Sequence, residues 1–541
     1  MRKFFRSIAV RLSVDGWRPD SKARKWRLAL LAFSVVYAAL LLLNLGYPPV
    51  QWDEMPHLQG GLLLARGQTR AYFDIYGYYS PLFDFVTAGY YQLFGVSVSS
   101  GRLVAVTFSI LAIWVIFEFA SQAYGSKIAL FSSILLGTMP GFFSLSRAAM
   151  LETVLLFFFS LVLFFFLASI RTGKDKALIL SCIALGAGFF AKYQVLVAIG
   201  VMIAGIVVLG RDRLRWRFTK FLLVPLTVIL IMIPWFVVLY QNNDVNNFVA
   251  VFNVVKEGHE ERALYSTRFP TPIFYLIEMT WPFNDVATHP IALPVFILGL
   301  VGLGLFAWRR KTEDKFFLTW FIVVYVFFTI IPNRQWRYVF TLFPVLAISA
   351  GSLIFFAYVK LAEAGKKVQT SVVKKRLLKL AGLLLIAVAV ASVAYSSYNA
   401  YQMVAPEMIH IPVEEATNYA AQNLRQNESI MVLAPFNLFD RDMVKFYLEA
   451  NGSKPNQVLQ YPELPVDAFK PDFNMTALIA FCGQQSVKYV FLYEYGGEVP
   501  YFQSNMTAMQ VFEMLGDSGR FVLENRVGSF PRTITIFEFR Q

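Results

Sequence analysis

Cysteine, histidine and charge are all scarce in this sequence. The two cysteines, Cys182 and Cys482, offer neither a disulfide framework nor the spacing of a zinc site. Only 16% of the 541 residues are charged, where a soluble domain carries about 25%, and 57% are hydrophobic, with 53 phenylalanines. The mean hydropathy is +0.53. This composition excludes an ordinary soluble protein and points to a polytopic α-helical membrane protein. The net charge of +14 would suggest nucleic acid in a soluble chain. Its distribution argues otherwise, and no nucleic-acid partner is expected. Nor does the N-terminus read as a cleavable signal peptide. Its basic stretch is long, and the apolar run from near Leu28 reaches spanning length without a small-residue cleavage site.

A bilayer core of about 30 Å needs roughly 20 apolar residues per helix. About eleven runs approach that length, near 28–46, 103–121, 127–143, 151–170, 177–191, 194–210, 219–240, 291–308, 316–332, 338–359 and 380–400. Lys and Arg set their direction. Residues 1–27 carry nine of them, and with eleven spans the same side receives 29 of the chain's 49. The expectation is a cytoplasmic N-terminus at 1–27, a transmembrane domain over 28–400, and an exoplasmic segment over 401–541.

Three features then share the exoplasmic side: a loop of about 46–102, a loop of about 241–290, and the C-terminal segment. In the last, residues 412–426 read as a helix, and 429–436, 488–495 and 532–539 read as strands. That pattern suits a small α/β domain. Four Asn-x-Ser/Thr triplets, at Asn427, Asn451, Asn474 and Asn505, offer glycosylation acceptors there. All four histidines, His57, His259, His289 and His410, fall on the same side.

Few charges lie in the middle of the spans, where a transporter keeps its polar pathway. Glu118, toward the cytoplasmic end of its run, is the main exception. Glu152, Lys192, Arg334 and Arg337 instead stand at the outer ends of spans, level with Asp53 and Glu54 in WDEMPHLQGG. Such a ring suits a reaction at the membrane surface. A transporter or lipid flippase is the alternative, but it would need paired repeats and midplane polar groups, and neither is visible.

The stretches WDEMPHLQGGLLLARGQ (52–68), YGYYSPLFDFVTAGYYQLFGVSVSSGRLVAV (76–106), SRAAMLETVLLFFFSLVLFFF (146–166) and ALGAGFFAKY (184–193) follow one another in a telling order. Together they resemble the amino-terminal half of the GT-C glycosyltransferases, in the branch of protein O-mannosyltransferases and aminoarabinose transferases. RQWRYVFTLFPVLAI (334–348) is similar to that family's later Arg-Tyr…Pro span. The resemblance implies sugar transfer from a polyprenyl- or dolichyl-phosphate carrier to a protein, lipid or glycan acceptor. It implies further that the enzyme sits in the plasma membrane with its active site outside.

It also gives Asp53 the role of catalytic carboxylate, with Glu54 as a supporting or substrate-binding group. The chemistry is consistent, because a lipid phosphate leaves as a stable anion and needs no second acid of the glycosidase kind. One base that takes the acceptor proton suffices, and direct attack inverts the anomeric centre. The ordinary alternative for Asp53 and Glu54 is a polar collar or the cap of a short interfacial helix. Glu152 stands where relatives more often carry aspartate, and it could position the sugar, hold a metal or simply favour a helix start. Asp53, His57 and Glu152 form a conceivable divalent-cation set. Arg337, Lys192, Arg334 and Arg147 are candidates for the phosphate, with membrane anchoring as the ordinary alternative.

One departure stands out. Where some relatives have Glu-Lys-Pro-Pro, this chain has Tyr78, Tyr79, Ser80 and Pro81, and Tyr79 is a candidate to stack on sugar or line the lipid groove. The oligosaccharyltransferase reading fails, since its Trp-Trp-Asp-x-Gly motif has no counterpart in a chain without tryptophan after Trp336.

Overall fold

Apolar runs ended by glycine, proline or charge become helices here. The computed structural model describes residues 23–47, 50–51, 53–209, 223–250, 267–280, 289–367, 372–405, 410–425, 427–433, 439–452, 457–461, 473–495 and 506–540. Residues 1–22, His259, Asn505 and parts of the 241–290 loop (251–266 and 281–288) therefore lie outside the described residues. The first half runs α1 (Ala23–Leu42), α2 (Met55–Ala65), α3 (Thr69–Tyr76), α4 (Leu82–Phe94), α5 (Val98–Tyr124) and α6 (Ser126–Thr138). It continues through α7 (Pro140–Leu145), α8 (Glu152–Thr172), α9 (Asp175–Ala191), α10 (Val197–Leu209) and α11 (Leu223–Gln241). The short α12 (Phe274–Glu278) precedes α13 (Leu293–Arg309), α14 (Thr312–Ile330), α15 (Phe343–Lys367) and α16 (Val372–Val404).

Among the described residues, six helical stretches are long and apolar enough to cross a membrane: α1, α5, α8, α11, α16, and α15 with the turn before it. Most other apolar runs give shorter helices, while α14 has 19 residues but carries Glu313, Asp314 and Lys315 in its first turn. The run at 127–143 is split because Met139 is extended and Pro140, which has no amide hydrogen, starts a new helix. Among the described residues the eleven runs thus correspond to a mixture of helices long and apolar enough to span and helices that are not.

Two small-residue seams bring helices close. On α13, a Cβ at Gly302 would lie 2.2 Å from the Ser349 carbonyl oxygen of α15, and Ser349 Oγ donates to the Gly299 carbonyl at 2.8 Å. Backbones in such contact exclude any larger side chain. Gly302→Leu is therefore expected to lower stability by at least about 1–3 kcal/mol, the usual range for overpacking, read as earlier thermal unfolding in detergent. The second seam joins α2 to α4. There a Cβ at Gly61 would sit 2.4 Å from Thr87 Cγ2, which explains the glycine pair in HLQGG.

Charge gathers at the two ends of the bundle. At one end Arg27 makes a two-pronged pair with Glu118 (2.7 and 2.9 Å), and Tyr124 and Arg309 share Asp314. The opposite end holds Asp53. Between them lie rings such as Trp320, Phe119, Phe159 and Phe317, packed at centroid distances of 5.0–6.0 Å.

Beyond α16 come α17 (Val413–Asn423), α18 (Arg441–Ala450), α19 (Met475–Gln484) and α20 (Ala508–Asp517) with five strands. These are β1 (Ser429–Leu433), β2 (Val458–Gln460), β3 (Val487–Tyr495), β4 (Phe521–Ser529) and β5 (Arg532–Phe539), in the order β2-β1-β3-β5-β4. β1 pairs in parallel with β2 and β3, while β5 pairs antiparallel with β3 and β4. The sheet shares its apolar core with the Asp53 end of the bundle. Phe439, Met443 and Phe446 pack in one cluster with Met55, Leu58, Phe83 and Tyr91. Asn427, Asn451 and Asn474 are exposed on this unit.

Candidate active site

Asp53 precedes α2 but does not cap it. Glu54 takes the N-cap position in helical conformation, without a side-chain cap bond. The Asp53 carboxylate instead reaches across the bundle, with Oδ2 2.5 Å from Arg337 Nη1. Arg337 belongs to the tight helical segment Trp336–Leu342 that leads into α15. That segment is seated on Gly141, where a Cβ would lie 2.8 Å from the Trp336 ring. Arg337 Nε also donates to Gln335 Oε1 at 2.6 Å.

A second pair lies alongside. Glu152, the first residue of α8, is buried and accepts a 2.8 Å hydrogen bond from Lys192 Nζ. Lys192 stands where extended backbone (φ −164°) ends α9, so its side chain leaves the helix at this level. Arg337 is within electrostatic reach of Glu152 as well as Asp53. Two carboxylates and two cations are thus interleaved. The Asp53 side chain keeps 45% of its surface exposed and the Glu152 side chain 3%, so the cluster opens on the Asp53 side.

Glu54 is wholly committed. Arg102 of α5 donates to both its oxygens at 2.8 Å, and the backbone amides of Gln51 and Ala149 add bonds of 3.0 and 2.6 Å. Arg102 Nη1 also donates to the Leu45 carbonyl at 2.9 Å. A buried charge pair whose partners are all satisfied fixes geometry. Glu54 ties the start of α2 to α5 and to the turn before α8, and so holds Asp53 and Glu152 in register.

Behind Asp53, His57 Nδ1 lies 2.8 Å from Asp84 Oδ1, and Tyr72 donates to Asp84 Oδ2 at 3.0 Å. Burial pushes the Asp84 carboxyl up, opposed by the charge and hydrogen bond of His57 and by Tyr72. Tyr79 packs against Tyr78, with ring centroids 4.5 Å apart. Burial, then Tyr78 and the carboxylates Asp53 and Asp84, push the Tyr79 phenol up and keep it protonated.

Comparison with known proteins bears on this arrangement. A family model described as dolichyl-phosphate-mannose-protein mannosyltransferase matches residues 79–238. ArnT from Cupriavidus metallidurans, solved both apo and bound to undecaprenyl phosphate, superposes with a TM-score of 0.59 at 17% identity, over 95% of this chain and 98% of that one. The fold is that of the GT-C glycosyltransferases. The apo oligosaccharyltransferase of Archaeoglobus fulgidus has a TM-score of 0.54 at 13% identity, over 87% of this chain and 70% of that one. No curated protein matches the sequence significantly.

Within this GT-C fold, some residues expected at the site point elsewhere. Arg147 donates to the carbonyls of Leu41 (2.7 Å) and Asn44 (3.3 Å), closing the C-terminus of α1 rather than joining the cluster. Arg334 donates to the Thr329 carbonyl at 3.1 Å and lies over the Phe274 ring, at the end of α14. The conceivable metal set is not assembled either. Among the described residues no group of three or more His, Cys, Asp or Glu is arranged to hold a metal ion. The reason is visible in the partners: Asp53 is held by Arg337, Glu152 by Lys192, and His57 by Asp84.

Arg102, Asp84 and Tyr72 escaped the sequence reading. Arg102 stands out in the sequence only as a charge at the edge of an apolar run, which marks its depth but not its partner. Asp84 and Tyr72 carry no comparable mark.

Proposed function

We propose that the chain is a membrane glycosyltransferase. It moves a monosaccharide, with mannose as the leading choice, from a polyprenyl- or dolichyl-phosphate carrier to an acceptor hydroxyl on a protein, lipid or glycan. The observation that carries the reading is the accessible Asp53 set among Arg337, Glu152 and Lys192, at one end of a GT-C bundle. The loop charges support an exoplasmic position for that end, in the plasma membrane. The family model and the lipid-phosphate ligand of ArnT support the donor class.

The site's own charges define the steps. The donor's phosphodiester is a monoanion, and the guanidinium of Arg337 offers it paired donors, with Lys192 as a second cation. The phosphate then competes with Asp53 for Arg337, and the released carboxylate is free to accept the acceptor's hydroxyl proton. The acceptor oxygen bonds to the anomeric carbon from the face opposite the phosphate. The anomeric C–O bond to phosphate breaks, and its electron pair leaves on the lipid phosphate beside Arg337 and Lys192. The product is inverted at that carbon. Glu152 holds Lys192 in place throughout, and no step needs a metal.

Arg337→Gln is expected to raise the KM for the lipid donor about 10- to 100-fold, the worth of one charge-assisted contact, and to leave the acceptor KM unchanged. The reading itself is tested with purified protein, radiolabelled polyprenyl-phosphate mannose and a Ser/Thr-rich peptide. Labelled peptide is expected. Transfer from a nucleotide sugar but from no lipid-phosphate sugar would contradict the proposal.

A further inference from the structure

The steps above leave one buried imidazole unused. His57 stands in the first turn of α2, only 5% exposed, with its Nδ1 on Asp84. Asp84 is itself fully buried, and the helix contact is shaped around it. At Gly60 a Cβ would come within 3.0 Å of Asp84 Oδ2 and 3.1 Å of the Tyr72 ring. Phe83 and Tyr79 pack against the imidazole at centroid distances of 5.3 and 5.6 Å and fix its plane. A structural purpose would be met by any donor to Asp84, but histidine brings a second nitrogen. Nε2 makes no hydrogen bond to any described residue. With Nδ1–H given to the carboxylate, Nε2 carries the lone pair and is an acceptor of fixed direction. Tyr79, edge-on to His57, lies within electrostatic reach of Asp53 and so links the imidazole to the reaction cluster.

We propose that His57, oriented by Asp84, forms with Tyr78 and Tyr79 a subsite for the sugar of the donor. Nε2 accepts a hydrogen bond from one ring hydroxyl, and the tyrosine pair covers an apolar face of the ring. A few polar groups of fixed direction on an aromatic wall are what small-molecule sites use for orientation. His57 touches substrate in this account, whereas Asp84 is a positioning residue that sets the tautomer. The inference rests on the lipid-phosphate-sugar reading for the identity of its ligand. A hydroxyl of the acceptor offers the same chemistry, so the test separates the two.

Protein labelled with ¹⁵N-histidine, placed in lipid nanodiscs, gives a direct view, since the chain has four histidines and His57→Gln identifies the signal. In its neutral form, His57 is expected as the Nδ1–H tautomer. Asp84→Asn is expected to mix the tautomers, and polyprenyl-phosphate mannose to shift the Nε2 resonance. In transfer assays with the same donor, His57→Gln and Asp84→Asn are expected to raise the donor KM about 3- to 10-fold, the worth of one neutral hydrogen bond. The acceptor KM should stay as it was.

An Nε2–H tautomer in the wild type, an unshifted Nε2 on donor addition, or a change confined to the acceptor KM would overturn the subsite. If the wild type transfers nothing from the lipid phosphate, the functional reading fails in that assay. The tautomer and the donor-induced shift still decide the subsite.

Discussion

Asp53→Asn is expected to slow sugar transfer at least about 100-fold, because a positioned general base contributes roughly 10²–10⁴. The change keeps the volume of the side chain and leaves an amide oxygen facing Arg337. What it removes is the charge and the basicity. Since the Asp53 side chain is nearly half exposed and outside any helix cap, thermal stability should stay within about 0.5 kcal/mol of the wild type. Binding of the lipid donor should persist or tighten, because Arg337 loses its resident carboxylate. Loss of turnover with retained folding and donor binding is the signature of a group that acts on the reacting atoms. Equal loss of binding and turnover would mark Asp53 as a mere partner for Arg337.

Its neighbour is expected to behave in the opposite way. Glu54→Leu leaves the Arg102 guanidinium buried and orphans the amides of Gln51 and Ala149. Breaking one side of a buried pair costs about 3–5 kcal/mol, so the variant should unfold much earlier in a detergent melt. Arg102→Met should do the same by stranding the Glu54 carboxylate. The double variant should lose less than the sum of the two, since both remove one shared interaction. It should not return to wild type, because the two backbone amides still lack an acceptor. Simple additivity would show that the two residues do not depend on each other. Those two outcomes together would divide the adjacent carboxylates of one motif into a reacting group and a structural one.

In the sequence, Asp53 as the base is separable from Glu54 as a supporting group, but the buried partners that hold Glu54 are not legible, and the reason is geometric. Asp53, Glu152, Lys192 and Arg337 stand out as charges at the ends of apolar runs, and the bundle brings all four together. Arg147 stands out in the same way, yet it turns back to the carbonyls of α1. A lone charge at a span end reveals its depth but not its direction, which depends on how the helix is rotated. Glu54 and Arg102 are 48 residues apart, and only the packing of α2 on α5 pairs them. The same limit hid Asp84, whose partner His57 is reached through the glycine seam.

Secondary structure shows a similar pattern. The strand-like stretches at 488–495 and 532–539 coincide with β3 and β5, and the described part of 429–436 is β1, with 434–436 outside the described residues; the alternation or apolar density of all three is strong. β2 is three residues long, and β4 is an edge strand studded with charge, so neither carries a clear period. The split at Pro140 was signalled by the proline itself, but the apolar residues around it read as one continuous span.

Sealed membrane vesicles of the two orientations, loaded with labelled polyprenyl-phosphate mannose and given an impermeant Ser/Thr peptide from outside, test the account most directly. Right-side-out vesicles should label the peptide when the chain carries Asp53 and should fail with Asp53→Asn. Labelling by inside-out vesicles alone, or undiminished labelling by the Asp53→Asn chain, would contradict it.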